Sequence, residues 1–488
     1  MISITAAGSV RLKAPDRLFV GGEWVAPGSS GRLSVISPVT EEEILRVAEG
    51  READMDRAVA DAREAFDRGP WPRMPGEERA RHLLAVADEL ERRESELADA
   101  WTAQVGAPIG LTRYAVTQAA GLFRYYAGLA RTLSFEDERR RADGKVAKVL
   151  REPVGVVAAI TPWNAPLVLL CYKLAAALAA GCTVVAKPSP ETPLDAYIVA
   201  ECAEAAGLPR GVLSVIPAGR EVGDYLVRHP GIDKVSFTGS SAAGKHIAEV
   251  CAQRLARVSL ELGGKSAAIV LDDAAIEDVL PDLVPFSVPI TGQVCFSLTR
   301  VLVPKARRDA FVGAYKAALE SINVGDPSDP ETQMGPLAMA RQRDRVEGYI
   351  RKGLSEGATL VTGGARPARF DRGYFIEPTL FTNVDNRMTI AQEEIFGPVV
   401  SIIAYDDVND AVQIANDSVY GLHGAVYTGD VERGYEVARR VRTGSVSVNR
   451  MAVDYTLPFG GFKQSGLGRE GGPEGLDPYL EVKTVYFP

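Results

Sequence analysis

Residues 154–187 read VGVVAAITPWNAPLVLLCYKLAAALAAGCTVVAK. VGVVAAI (154–160) and TVVA (183–186) are short runs of small and β-branched residues bounded by turn residues, the pattern of buried strands. The stretch from Leu167 to Ala186 is almost continuously apolar, and its length would suit a membrane span of ~20 residues. Three features oppose a span: Lys173 lies inside it, Gly181 breaks it, and its last four residues are the strand TVVA. A helix that is apolar all round belongs in the core of a large protein. The stretch therefore predicts strand, buried helix, strand, with no membrane partner.

The alternation continues downstream. TVVA precedes a helix from about Pro193 to Ala206, VLSVI (212–216) one near Glu221, and KVSF (234–237) one from about Ser241 to Cys251; AAIV (267–270) closes the series. Strands alternating with helices predict βαβ units and an α/β fold whose parallel sheet is covered on both faces. Ligands bind such sheets beyond the carboxyl ends of the strands, which singles out TPWN, KPSP, PAGR and TGSS. A second α/β region is expected from Asp272 to about Tyr455, with TRVLVP, TLVTGG, VSIIAY, GAVYT and GSVSVN as strands. Upstream, short strand-like pieces such as RLFVGGEWV precede helices at Asp54–Phe66, Glu77–Gln104 and Arg113–Ala130. The charged run from Glu136 to Gly144 reads as a solvated turn. The tail from Pro458 is Gly-rich and then extended, a form that can add a strand to another chain's sheet.

A length of 488 residues suggests two to four domains. Lys and Arg number 55 against 64 Asp and Glu, a net charge of −9, which disfavours nucleic acid as a partner. The first thirteen residues, MISITAAGSVRLK, lack the basic start and continuous apolar core of a signal peptide. Five cysteines cannot form a disulfide framework, and their scarcity suits a reducing cytoplasm.

Four of the five (Cys171, Cys182, Cys202 and Cys251) lie in apolar stretches and read as core. Cys295 differs: it follows the polar turn Gly292–Gln293, which would leave its sulfur accessible. No CxxC, HExxH or GxSxG occurs, so no metal site is expected and zinc and serine hydrolysis lack their parts. GSSAAGK (239–245) nearly matches a phosphate loop, but His246 stands where the Mg²⁺-binding hydroxyl of a nucleotide hydrolase must be.

The motifs TPWN, FTGSSAAG, ELGGK, GQVC, EEIFGP and PFGGFKQSGLGRE occur in this order, with 34 residues between Glu261 and Cys295. Together they resemble the aldehyde dehydrogenase superfamily over essentially the whole chain. The resemblance implies a Rossmann-like parallel-sheet cofactor domain (1–130 and 152–263), an α/β catalytic domain (264–459) and a small β oligomerisation element (131–151 and 460–488). On this basis the run from Glu136 to Gly144 is an interface hairpin rather than a free turn, and a homodimer or homotetramer is expected.

The resemblance also assigns roles. Cys295 matches the nucleophile that attacks the aldehyde, giving a thiohemiacetal and then a thioester. Asn164 and the Cys295 backbone N–H match the oxyanion donors. Glu261 matches the base that activates the hydrolytic water, and Lys173 and Glu470 match positions that help move protons. The dinucleotide is expected along Ile160, Thr161, Pro162 and Trp163. Further contacts are expected at Lys187, Ser189 and Pro190, at Gly219 and Gly223, and at Phe237, Thr238, Gly239, Ser240 and Gly244. Leu262, Glu394 and Phe396 complete the expected cofactor set.

Two departures stand out. Many NAD-using relatives carry Glu three residues after the lysine corresponding to Lys187; here Pro190 holds that position and Glu191 follows. NAD is the first expectation, with NADP left open. Relatives often have Asn before the GQxC motif, where this chain reads PIT (Pro289 to Thr291). The matching substrate-channel positions, Ala165, Val168, Leu169, Tyr172, Phe296 and Phe459, are apolar and carry no charge. They imply an apolar aldehyde, medium-chain or bulky. Transfer of the acyl group to CoA is disfavoured by Glu261, and a catalytically silent binding protein by the retained Cys295, Glu261 and Asn164.

Overall fold

The computed structural model describes residues 10–488; the signal-peptide reading of the first nine residues lies outside them. Two large sheets carry the fold. The first has eight strands in the order Gly466–Leu467, Arg257–Glu261, Lys234–Thr238, Val156–Ile160, Thr183–Lys187, Leu213–Val215, Leu18–Val20, Glu23–Val25. The five strands from Arg257–Glu261 to Leu213–Val215 are mutually parallel, and the remaining pairings are antiparallel. Alternation along each strand feeds two cores. Val157 and Ala159 face one core, and Val156, Ala158 and Ile160 the other. Burying a Val or Leu side chain is worth about 1.5–3 kcal/mol, so both faces must be covered, and helices cover them.

The decisive helix runs from Pro166 to Ala180. Pro166 suits its first position, where no amide donor is needed. Gly181 ends it in a left-handed conformation (φ 97°), with the N–H of Gly181 bonded to the Leu178 carbonyl and that of Cys182 to the Ala177 carbonyl. No described helix is long and apolar enough to cross a membrane.

Among the five parallel strands the chain starts at the centre, Val156–Ile160. It builds outward through Thr183–Lys187 and Leu213–Val215, then returns to the other side with Lys234–Thr238 and Arg257–Glu261. The strand order reverses between Val156–Ile160 and Lys234–Thr238. Their carboxyl ends therefore diverge, and the crevice between them is where such sheets bind ligands.

The second sheet has seven strands: Thr359–Thr362, Thr379–Thr382, Val399–Tyr405, Arg300–Pro304, Ala267–Val270, His423–Tyr427, Ser445–Val448. All its pairings are parallel except the first. It too has a core on each face.

Several elements differ from the sequence reading. Glu77–Gln104 is two helices, Gly76–Arg92 and Glu94–Val105. Arg93 leaves the helical conformation between them, its guanidinium drawn to Glu96 and to the buried Glu201 across the domain. A helix at Ile276–Ser287, which contains Pro281 and Pro285, has no counterpart among the expected elements. The charged run is no free turn. Glu136–Arg140 is a strand paired with Val146–Pro153, stitched by Lys148–Glu136 and Arg151–Asp137 ion pairs. Leu480–Tyr486 pairs along the other edge of Val146–Pro153. Gly466–Leu467, expected in the arm and tail, instead extends the first sheet beside Leu260 and Glu261.

Candidate active site

A cavity of about 840 Å³ occupies the crevice of the first sheet. Ile160, Thr161, Pro162 and Trp163 line it from one strand end, and Phe237, Thr238, Gly239 and Ser240 from the other. Lys187, Ser189, Pro190 and Gly223 close its far side. Ser240 caps the helix Ser241–Arg254, its hydroxyl accepting from the Ala243 N–H. The helix thus presents free N–H groups to the cavity, which suits a phosphate. At Gly223 a Cβ would lie 3.2 Å from Lys187 Cε, a tight contact with the side chain that closes this end.

Two residues of the expected cofactor set lie outside this lining. Gly219 is the N-cap of helix Arg220–Arg228, and Gly244 lets its helix approach Leu262, where a Cβ would come within 2.5 Å of the Leu262 side chain. Neither lines the cavity.

At the Lys187 end, burial pushes the lysine's pKa down to about 8, while Glu191 acts in the opposite direction. The Lys187 ammonium donates to the Pro188 carbonyl at 3.1 Å. Pro190 indeed offers no acceptor. Glu191 does, and its carboxylate takes hydrogen bonds from the Ser189 hydroxyl and the Arg341 guanidinium. Burial raises the Glu191 pKa, but these bonds outweigh it and hold the group below the usual range. Arg341 was not singled out from the sequence: it lies in the charged helix Ala340–Ser355, which has no motif spacing.

A second cavity of about 500 Å³ shares Trp163, Thr238, Gly239 and Arg341 with the first, so the two are continuous. Asn164, Glu261, Leu262, Cys295, Glu394 and Phe396 line it. Gln342 and Arg345, again from the helix Ala340–Ser355, were missed for the same reason as Arg341. Trp163 meets Phe396 edge to face at 5.3 Å.

The Cys295 loop is held under strain. Ile290, Thr291 and Gly292 are consecutive residues with positive φ (45°, 59° and 72°). For the two β-branched residues this is a costly conformation. The PIT departure therefore changes backbone strain beside the nucleophile position, since Asn tolerates that region better. Compensating bonds fix the loop. The Thr291 hydroxyl donates to the Gly335 carbonyl, and the buried Gln293 amide accepts from the Ala338 N–H and donates to the Ile290 carbonyl.

The Gln293 carbonyl accepts the Asn164 side-chain amide at 2.8 Å, and the Asn164 backbone carbonyl accepts the Trp101 indole N–H. One amide proton of Asn164 is thus anchored and the other is free to meet a ligand oxygen. Burial, then the charges of Glu394 and Glu261, push the Cys295 thiol pKa far up, and the backbone N–H groups of Cys295 and Phe296 partly offset this.

Glu394 reaches in from the second sheet and accepts from the Gly264 N–H at 3.0 Å; burial raises its pKa to about 7. Both Glu261 oxygens are buried and have no hydrogen-bond partner. Burial, and then the charge of Glu470, keep its pKa well above the carboxylate range against the pull of Lys173 and Arg469. Lys173, the one charged residue of the buried helix, donates to Glu470 at 2.6 Å and to the Thr238 hydroxyl at 2.7 Å.

Of the six expected substrate positions, only Leu169 lines the second cavity; Ala165, Val168, Tyr172, Phe296 and Phe459 are half-buried outside it. Phe296 packs edge-on against Phe459 and also faces His423. That buried histidine, missed from sequence, has its pKa pushed down to about 4 by burial, so it adds no charge at neutral pH. No group of His, Cys, Asp and Glu able to hold a metal occurs among the described residues.

The aldehyde dehydrogenase family pattern matches residues 24–485. The chain is 49% identical over 473 residues to a geranial dehydrogenase of Castellaniella defragrans, covering 97% of this chain and 98% of the relative. An aldehyde dehydrogenase of Mycobacterium tuberculosis, solved with NAD+, superposes with a TM-score of 0.95 at 47% identity, covering 97% of this chain and 98% of that one. Aldehyde dehydrogenase C of Pseudomonas syringae, a variant solved with NAD+ and octanal, gives 0.95 at 40% identity, with 98% of each chain covered. A cysteine and a buried glutamate on one cavity, joined to a dinucleotide-sized crevice, agree with these likenesses: the chain belongs to the aldehyde dehydrogenase family.

Proposed function

We propose that this protein oxidises an apolar, medium-chain or bulky aldehyde to its carboxylic acid with NAD+, through a thioester on Cys295 hydrolysed by water that Glu261 activates. The observation that carries this reading is the gathering of Cys295, Asn164, Glu261 and Glu394 on a single cavity continuous with the larger crevice. The crevice fits a dinucleotide: a helix N-terminus for the pyrophosphate, Lys187 and Glu191 at the adenosine end, and Glu394 and Phe396 toward the nicotinamide. Bound there, the nicotinamide supplies the hydride acceptor.

The chain does the rest. Cys295 must give up its proton to water in the cavity before it reacts, a step that burial and the neighbouring carboxylates disfavour. The sulfur then attacks the aldehyde carbon, and the oxyanion meets the free Asn164 amide proton and the Cys295 N–H. After hydride leaves, Glu261 takes a proton from water, which attacks the thioester carbon and expels the sulfur. CoA transfer has no support from a residue of the site. The division of the chain into 1–130 with 152–263, 264–459, and 131–151 with 460–488 belongs to the same proposal. So does a homodimer or homotetramer formed along the exposed Leu480–Tyr486 edge.

The relatives' geranial and octanal support an apolar substrate. In a panel assayed with both cofactors, neutral C8–C10 aldehydes are expected to exceed carboxylate-bearing semialdehydes in kcat/KM; the reverse order would overturn the substrate class. A second expectation concerns Glu191. A charged acceptor lost from a ribose hydroxyl costs about 1.5–3 kcal/mol. Glu191→Ala should therefore weaken NAD+ binding at least about tenfold in a fluorescence titration. NADP+ binding should tighten, because Arg341 is released toward the 2′-phosphate. An unchanged NAD+ to NADP+ affinity ratio would remove Glu191 from the cofactor site.

A further inference from the structure

Lys265 closes the ELGGK segment, and packing alone does not account for its place. It is 2% exposed, and its ammonium has no hydrogen-bond partner. Lysine is almost never buried this far unless it is paired, since an unpaired charge away from water is costly. Arg300 lies close and opposes the lysine's charge. Its guanidinium is already bonded to the carbonyls of Lys265, Ile414 and Ala415 and to the Asn386 side chain. The carboxylate that favours the charge of Lys265 is Glu394.

The two groups share a small cavity of about 10 Å³, whose polar lining is Lys265, Ser297, Thr299 and Glu394. It has room for about one water, which finds there the two to four polar partners it needs. The Ser297 hydroxyl donates to the Val294 carbonyl at 2.7 Å, so its oxygen can still accept. Glu394 and Phe396 line this cavity and the 500 Å³ cavity alike. Glu394 is therefore part of the wall between Lys265 and the active site. The backbone leading to Lys265 is fitted to that wall. A Cβ at Gly263 would strike the Glu394 carboxylate, and one at Gly264 the Cys295 carbonyl. The Gly264 N–H donates to Glu394 Oε1 at 3.0 Å, which leaves Oε2 for a ligand.

Oε2 is a pure acceptor only while the carboxyl is ionised. Burial opposes that charge and lifts the Glu394 pKa to about 7, while the Gly264 N–H, Arg345 and Lys265 pull the other way. Burial, and then Arg300, bring the Lys265 pKa down to about 7 as well. Each group favours the charged form of the other. The other groups that face Glu394 do not change charge near neutral pH: Arg345 stays cationic, and Cys295 and Tyr420 have raised pKa values and stay neutral.

We propose that Lys265 is a positioning residue for the cofactor: across the small cavity its ammonium holds the Glu394 carboxylate as the charged acceptor that the nicotinamide ribose hydroxyls meet. Lys265 itself lines neither large cavity, so it acts only through Glu394.

The inference rests on the proposed placement of the nicotinamide ribose at Glu394, and its test separates the two. NAD+ is titrated by fluorescence quenching, without aldehyde, from pH 6 to 9. Wild-type affinity should rise with pH about a midpoint near 7, where Glu394 ionises. Lys187, whose pKa is about 8 at the far end of the crevice, is common to all variants and cancels in the comparison. In Lys265→Met the midpoint should move to about pH 8, so that NAD+ binds about fivefold more weakly at pH 7 and nearly as wild type at pH 9. Lys265→Gln, a second neutral variant, should show the same shift and serves if Lys265→Met does not fold. Lys265→Arg keeps the charge and should keep the wild-type midpoint. In a Glu394→Gln background, Lys265→Met should change the affinity less than about twofold, since the two residues act as one. A loss equal at every pH, a loss that persists in Glu394→Gln, or a Lys265→Arg midpoint matching the neutral variants would make Lys265 a packing residue and overturn the proposal. Unchanged binding by Lys265→Met beside weakened binding by Glu394→Gln would also overturn it and leave the cofactor placement standing. Unchanged binding by Glu394→Gln would overturn that placement, and the proposal with it.

Discussion

Cys295→Ala enzyme is expected to form no NADH from any aldehyde above a background about 10⁴–10⁶-fold below wild type, the scale on which loss of a covalent nucleophile is felt. Of the five cysteines, the other four are buried, Cys182 behind the tail and Cys171 and Cys202 in the helical core. None can substitute, because none lines either cavity. The variant removes only a sulfur from a residue that faces open space, so its fold and its affinity for NAD+ should be preserved. Thermal unfolding and a cofactor titration check this. Turnover retained within tenfold of wild type would exclude the thiohemiacetal route.

The same residue shows how far the sequence could be read. The strand and helix alternation over 154–270 was legible because each strand is a short apolar run and each helix is bounded by Gly or Pro. The reversal of strand order then placed TPWN and TGSS together. The cysteine and both glutamates came instead from the resemblance of GQVC, ELGGK and EEIFGP to the motifs of the family. What escaped lacked a local signature. Arg341, Gln342 and Arg345 come from a helix whose charged face reads as solvated, and only the packing of the second sheet against the first brings it over the crevice. Ile276–Ser287 carries two prolines inside the helix and had no counterpart among the expected elements. The polar face shared by Lys234–Thr238 and Arg257–Glu261 escaped because KVSF reads as an ordinary strand and the second segment was not singled out. Only their register puts Lys234, Ser236 and Ser259 on one face.

Glu261→Gln should give the second large effect, and it differs in kind. Acylation needs Cys295 and Asn164, while hydrolysis needs a base. The variant should therefore release close to one equivalent of NADH per active site in a burst, after which the steady rate should fall by about 10²–10⁴. Mass spectrometry of the quenched enzyme should find the acyl group on Cys295. Equal loss of burst and steady rate would place Glu261 in the first half of the reaction. Stability provides an independent check. The folded-state pKa of Glu261 lies well above its unfolded value because burial and Glu470 disfavour the charge. Below the unfolded pKa, near 4.3, both states hold the proton and the group costs nothing. As pH rises past that value, the unfolded chain ionises freely while the native site resists, so stability is lost until the folded pKa is passed. Glutamine never ionises. Glu261→Gln should accordingly raise Tm at pH 7–8, with the gain vanishing near pH 4. A pH-independent difference would mean that the carboxyl carries no strain in the native site. The group whose removal stops hydrolysis should thus be one the fold is more stable without, as expected of a base kept dry and unpartnered for its chemistry.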